Sequence, residues 1–267
     1  SVSFVFIMHS ISMRTIFILL SISVFLSSCS MAEPRTVPDE ASITYVDTPA
    51  IDTVQPIQET KTWEFHDPHS HLTNEAVLNL YHNKLKPQAN TWRKGNDSVD
   101  SAFYRSLKIL WSAWYGTEWD FNGYTHKPRN GQIACGYFVS TTLRDAGMKL
   151  NRYELAKLYS HAIVTNICDT VTKDLNNLDS LVSYIASQPK DIYIVGLDSH
   201  VGFLIKEDAG IFFVHSNYIG PVAVTKELAL ESEALASSNR YVLGSILSNK
   251  GILEKWRKGQ EIHIKKG

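Results

Sequence analysis

Cys135, His200 and His215 are the residues of this chain whose types and setting offer covalent chemistry. Cys135 follows a loop rich in turn formers (Gly116, Gly123, Pro128, Asn130, Gly131) and opens about three turns of amphipathic sequence ending at Gly147. It is therefore expected at a helix N-terminus, where first-turn N–H groups lack intrahelical acceptors and the peptide dipoles leave partial positive charge. That setting favours thiolate: a free thiol with pKa about 8.5 is a few per cent ionised at pH 7, whereas one lowered to about 6 is mostly ionised. A plainer reading stands beside it. Cys135, Val139, Leu143 and Ala146 form one helical stripe, so the sulfur also fits a packed core.

The histidines lie in two apolar runs, His200–Ile205 and Ile211–His215, flanking the polar stretch Glu207-Asp208-Ala209-Gly210. This pattern predicts a β-hairpin. Both histidines are equidistant from a turn centred between Glu207 and Asp208, which sets them opposite or nearly opposite each other, with Cβ atoms about 4.5–5.5 Å apart. One strand histidine is ordinarily structural. A facing pair beside a helix-opening cysteine supplies a nucleophile, a proton acceptor and a group to orient that acceptor.

Other groups weigh less. His66, His69 and His71 alternate around Asp67 and Pro68 in a spacing that can point imidazoles one way. No apolar strand carries them and no further ligand cluster accompanies them, so the segment reads as a solvated loop capping the next helix. His126 and His161 read as surface or loop residues. Cys168 lies in the β-leaning run AIVTNICDTV as a small buried hydrophobe, and a Cys135–Cys168 disulfide competes with catalysis in an oxidising compartment. No metal or organic cofactor is called for.

The elements that must hold these groups are legible as periodicity. Val77, Leu80, Tyr81 and Leu85 mark one helix; Phe103, Leu107, Leu110, Trp111 and Trp114 mark a second, after Asp97-Ser98. Asn151 and Glu154 form a capping-box-like start to a helix carrying Leu155, Leu158, Tyr159 and Ala162; another carries Leu178, Leu181, Val182 and Ile185. From Ile192 the period becomes strand-like: Ile192–Leu197, the two hairpin runs, Val222–Val224, and Tyr241–Leu247 after a helix-like LALESEALA. A C-terminal segment with Trp256 reads as a last helix or docking tail. The class is α+β, helices packed on an antiparallel sheet.

The 267 residues are 44% hydrophobic and 20% charged with net charge −1, the balance of a globular chain and one that gives no footing to nucleic acid. Met13-Arg14 and the 12-residue run Thr15–Leu26 have the shape of a secretory signal, too short to span a bilayer. Leu26-Ser27-Ser28-Cys29 closes it and resembles a lipobox, which implies acylation of Cys29, with Ser1–Ser12 upstream of the start. The organisation expected is residues 1–28 as upstream sequence and signal, 29–60 as lipidated N-terminus and Pro/Thr/Asp/Ser-rich tether, and 61–267 as one folded domain. Such a chain is a lipoprotein held to a membrane of the bacterial envelope.

In order along the chain, Tyr115-Gly116-Thr117-Glu118-Trp119, Gly123, Ala134-Cys135-Gly136-Tyr137-Phe138-Val139, Ala146-Gly147, Ser199-His200-Val201-Gly202 and His215-Ser216 resemble the motifs of the NlpC-type cell-wall cysteine peptidases, a papain-like family. The resemblance spans Leu110 to Ser216, with a longer helical insertion at about 151–189 than that family suggests. It implies a papain-like fold, Cys135 as nucleophile, His200 as base and then acid, His215 as orienter, and an amide of a peptidoglycan stem peptide as substrate, bound between the Cys135 helix and the His200 hairpin. Ala134 and Gly136 replace the Asp and Ser that flank the family's cysteine, which costs little where backbone N–H groups hold the oxyanion. Trp119 replaces a tyrosine that serves the family's site, and Tyr124 is the residue that can take its place. Two alternatives follow: a hydrolase of the same fold acting on another acyl bond, such as a lipid or an amidated toxin, and a degenerate lipoprotein that binds cell wall without cutting it.

Overall fold

A computed structural model describes residues 63–169 and 171–266. The expected signal, the Cys29 lipidation site and the tether lie outside the described residues. Among the described residues no helix is long and apolar enough to cross a membrane.

The chain opens with helix α1 (Asn74–Leu80), a π-helical turn (Tyr81–Leu85), α2 (Lys86–Lys94) and α3 (Val99–Trp114). Thr73 and Ser98 cap α1 and α3 by accepting N–H groups of the first turn. Helix α4 (Cys135–Asp145) follows, then β1 (Lys149–Leu150), α5 (Arg152–Ala156) and α6 (Ser160–Ile167). The capping start at Asn151 is present, with its side chain accepting from the N–H groups of Tyr153 and Glu154. The single helix expected from Asn151 to Ala162 is instead two. Leu158 packs on the core while Tyr159, next to it, is 82% exposed, so the apolar stripe does not continue across the break. The β-leaning reading of AIVTNICDTV is also corrected: Ala162–Ile167 belong to α6, and Cys168 is its C-cap.

The remaining elements are β2 (Val171–Leu175), α7 (Leu178–Ser187), β3 (Ile192–Gly196), β4 (Val201–Glu207), β5 (Gly210–Ser216), β6 (Val224–Leu228), α8 (Glu233–Ala236), β7 (Tyr241–Ser245), α9 (Lys250–Lys258) and β8 (Glu261–Ile262). Six strands form one antiparallel sheet in the order β2-β7-β3-β4-β5-β6, so the α+β class holds. Two readings of its last part shift: the strand expected at Val222–Val224 runs instead from Val224 to Leu228, and LALESEALA breaks into the end of β6, a 3-10 turn and the short α8.

Strand alternation divides the core. Val201, Phe203, Ile205, Phe212 and Val214 face a large cluster with α3 and α4; Leu204 and Phe213 face a smaller one with Leu181 and Ile185 of α7 and with Leu235. Trp111 and Phe138 both meet Phe203, at 4.8 and 6.1 Å between ring centroids. Phe138, Val139 and Leu143 are fully buried, each contributing roughly 1.5–3 kcal/mol, which fixes α4 against the sheet. Its far end is held by polar contacts: Tyr81 donates its hydroxyl to Asp145 at 2.7 Å, and Trp256 of α9 donates its indole N–H to the Ala146 carbonyl at 2.7 Å.

Candidate active site

Cys135 is the first residue of α4, as its setting predicts. The loop before it is sewn to the histidine end of the sheet. Ser216, next to His215, donates to the Ile133 carbonyl at 2.7 Å, and Val224 donates to the Thr117 carbonyl at 2.8 Å. The His66–His71 segment serves the same loop. Asp67 grips the Arg129 guanidinium at 2.6 and 2.8 Å, and the Arg129 N–H donates to the Thr117 hydroxyl at 2.8 Å.

The hairpin register differs from the expected one by one residue. Glu207 pairs with Gly210, so the turn is centred between Asp208 and Ala209, and Phe203 lies opposite Val214. His215 therefore falls opposite Gly202, and His200 is its diagonal neighbour just outside β4. The imidazoles still meet, with Nε2 of His200 2.9 Å from Nδ1 of His215. Gly202 makes this possible. A Cβ there would lie 2.5 Å from the Phe213 ring and 2.8 Å from the His215 Cβ, displacing the ring on which His215 stacks at 4.0 Å.

Both histidines are buried, at 2% and 0% exposure. Burial holds His200 well below the usual histidine range and pushes His215 down to about 3, so both rings are neutral at physiological pH. On its other side His215 presents Nε2 to the Glu227 carboxylate at 3.0 Å. Nδ1 of His200 makes no hydrogen bond within the described residues. Tyr218 covers that ring at 5.0 Å between centroids.

The sulfur stands apart from this wiring. Cys135 is half-buried and packs at the margin of the large cluster, whereas His215 stacks on Phe213 on the smaller cluster's side of the sheet. The two sides approach at the start of β4, where the N–H of Val201, the residue after His200, is directed at the sulfur and, with the N–H groups of Cys135 and Gly136, favours its thiolate. No hydrogen bond joins Cys135 to either imidazole among the described residues. Burial outweighs the three N–H groups and raises the thiol above its ordinary range, so the thiolate expected from the helix start is corrected to a neutral thiol in the free protein. Cys168 is buried, both cysteines are free, and the competing disulfide is absent.

Gly136 has a packing cause the sequence does not disclose: a Cβ there would come 2.6 Å from the Ala156 carbonyl at the end of α5. Trp119 is half-buried 6.0 Å from Tyr218, which places it one ring away from His200. Tyr124 is 63% exposed and joins a separate group, with Tyr137 at 6.3 Å and Tyr153 beyond it. The hairpin's cavity of about 440 Å³ opens at its turn end against Lys206, Asp208, Ile211 and Leu228, not where the cleft beside Cys135 is expected.

Two residues at the site escape the sequence reading, Glu227 and Tyr218. Glu227 becomes visible only if β6 is extended past Val224, since its place depends on pairing opposite Phe213. No family model, curated protein or solved structure matches the chain.

Proposed function

We propose that the protein is a cysteine hydrolase of amide bonds, with Cys135 as nucleophile, His200 as base and then acid, and His215 as orienting group. One observation carries the reading: His200 is the open end of a wired imidazole pair, and the N–H of the residue that follows it is directed at the Cys135 sulfur. The substrate class, an amide of a peptidoglycan stem peptide such as the γ-D-glutamyl link to a diamino acid, rests on the resemblance to NlpC-type peptidases. So does the setting, a lipid-anchored protein of the bacterial envelope.

The chemistry begins from neutral thiol and neutral imidazole. The sulfur attacks the amide carbon as its proton passes to His200, either after rotation of the Cys135 side chain or through one water, since apo geometry tightens only with substrate bound. The Gly136 and Cys135 N–H groups, freed from the sulfur, face the oxyanion that forms beside it. The C–N bond then breaks and the amine leaves with the proton held by His200, giving a thioester. Water attacks that thioester while His200 takes its proton; the C–S bond breaks, and the sulfur regains a proton as the acid departs.

The raised thiol and the missing Cys135–His200 bond favour a second reading, a lipoprotein that binds cell wall without cutting it. Incubating purified muropeptides with wild type and Cys135→Ala, and weighing the products, separates the two. Peptide released by wild type alone supports the hydrolase; intact muropeptides with both proteins sink it. Turnover of lipid substrates instead moves the same chemistry to another acyl bond.

A further inference from the structure

We infer that Glu227 is a positioning residue whose carboxylate, acting through His215, fixes which nitrogen of His200 is free to take a proton. The inference rests on the hydrolase reading above. Its observation is a continuous chain running from half-buried Glu227 into two buried imidazoles, Glu227 to His215 at 3.0 Å and His215 to His200 at 2.9 Å.

An ionised carboxylate only accepts hydrogen bonds, and a neutral imidazole has one N–H and one lone pair. Burial raises the Glu227 carboxyl above the ordinary carboxylate range, and in its ionised form Glu227 requires the His215 proton on Nε2. That leaves Nδ1 of His215 as an acceptor, so His200 must donate from its own Nε2. The lone pair of His200 then lies on Nδ1, the nitrogen without an internal partner. The opposite assignment sets a bare Nε2 of His215 against the carboxylate in a buried site, lone pair against lone pair, an arrangement that costs both groups their partner.

The carboxylate is itself held. The Ser232 hydroxyl, which accepts the Leu235 N–H as the cap of α8, favours the ionised carboxylate of Glu227 against the opposing effect of burial. Glu227 pairs across β5 with Phe213, and Thr225 with His215, so Glu227 reaches His215 along the diagonal over the same stacked ring. Three strands and a helix cap thus determine the tautomer of one imidazole.

Ring nitrogen shifts by ¹⁵N NMR at neutral pH test this without turnover. Wild type should show Nε2–H and bare Nδ1 on both His200 and His215, assigned by comparison with His200→Asn. Glu227→Met, which fills the space without an acceptor, should shift His215 toward the Nδ1–H form or a mixture. Where muropeptides are cleaved, it should lower kcat about 10- to 100-fold with KM nearly unchanged, as loss of a carboxylate behind a histidine does elsewhere. Glu227→Gln, which keeps a carbonyl acceptor, should recover most of that loss. An Nδ1–H tautomer on either wild-type ring overturns the inference, as does a folded Glu227→Met with wild-type shifts. Should Glu227→Met not fold, the wild-type shifts still decide. Expected tautomers without cleavage of any acyl substrate sink the hydrolase reading and leave the tautomer chain standing; cleavage with the wrong tautomer sinks the chain alone.

Discussion

The imidazole side of the site and the sulfur side are finished to different degrees. His215 and His200 are buried and Glu227 is half-buried, and the three are joined by two hydrogen bonds, with Phe213 stacked beneath and Tyr218 above. Cys135 is half-buried, held only by backbone N–H groups, with its thiol raised. A buried polar network is stable only when every member has a partner, so the histidines must be ordered in the free protein. A thiol tolerates weak partners, so its alignment can wait for substrate. On the proposed hydrolase reading, the free protein would have a preorganised base and a nucleophile still to be engaged.

The largest effects test whether these halves act as one. Cys135→Ala should abolish hydrolysis, a loss of about 10⁴-fold or more, and His200→Ala should do nearly the same. The double variant should be no worse than either single one, because residues of one catalytic unit do not add. Multiplying losses would show two independent contributions and break the unit apart. Cys135→Ala should lower stability only modestly, by about 1 kcal/mol, since it removes a single sulfur at the margin of the large cluster.

Next come the glycines on which each half depends. Gly202→Ala puts a methyl within 2.5 Å of Phe213 and 2.8 Å of His215, and should cost about 1–3 kcal/mol by overpacking while separating the imidazoles. Gly136→Ala meets backbone, the Ala156 carbonyl at 2.6 Å, and should cost a similar amount on the sulfur side. Thermal unfolding reads both. Gly202→Ala should also change the histidine ¹⁵N shifts and Gly136→Ala should not; if both do, the two sides are more tightly coupled than their geometry indicates.

How far the sequence discloses these halves follows the range of the interactions that build them. Cys135 at a helix start, the α3 stripe and the existence of the β4–β5 hairpin are local patterns, and each is where its residues predict. The histidine contact was legible, but its register was not: Gly210 looks like a loop ending, yet it is the first residue of β5, and this moves the turn by one residue. Glu227 and the Ala156 carbonyl over Gly136 depend on contacts between distant segments, which no local period encodes. The thiol's ionisation failed for another reason. Helix position was visible in the sequence, and burial of the sulfur, which outweighs it, was not.

Acid should weaken the fold through its histidine side. His215 is held near 3 in the fold and titrates near 6.5 when unfolded, so the unfolded chain binds more protons between those values. Stability is therefore full above about 6.5 and falls with decreasing pH by about 1.4 kcal/mol per unit for each histidine that stays neutral in the fold. Denaturant midpoints across this range should show the slope in wild type and a smaller one in His215→Leu. An unchanged slope would mean that His215 takes up its proton within the fold. Alkylation of Cys135 reports the other side: it should be slower than for an ordinary thiol at neutral pH and accelerate into alkali, because burial raises the thiol.

The smallest expected effect comes from Tyr218, which lies between His200 and Trp119. Its ring packs on His200 at 5.0 Å, and its hydroxyl lies 3.3 Å from that of Ser237. Tyr218→Leu removes an aromatic contact worth about 0.5–1.5 kcal/mol and leaves the Glu227–His215–His200 bonds in place. Activity should change by less than about tenfold, and the alkylation rate of Cys135 should hardly change, because the ring contact removed is with His200. A large rise in alkylation would show that the tyrosine controls access to both halves, and would make the loop that carries it part of how the nucleophile is engaged.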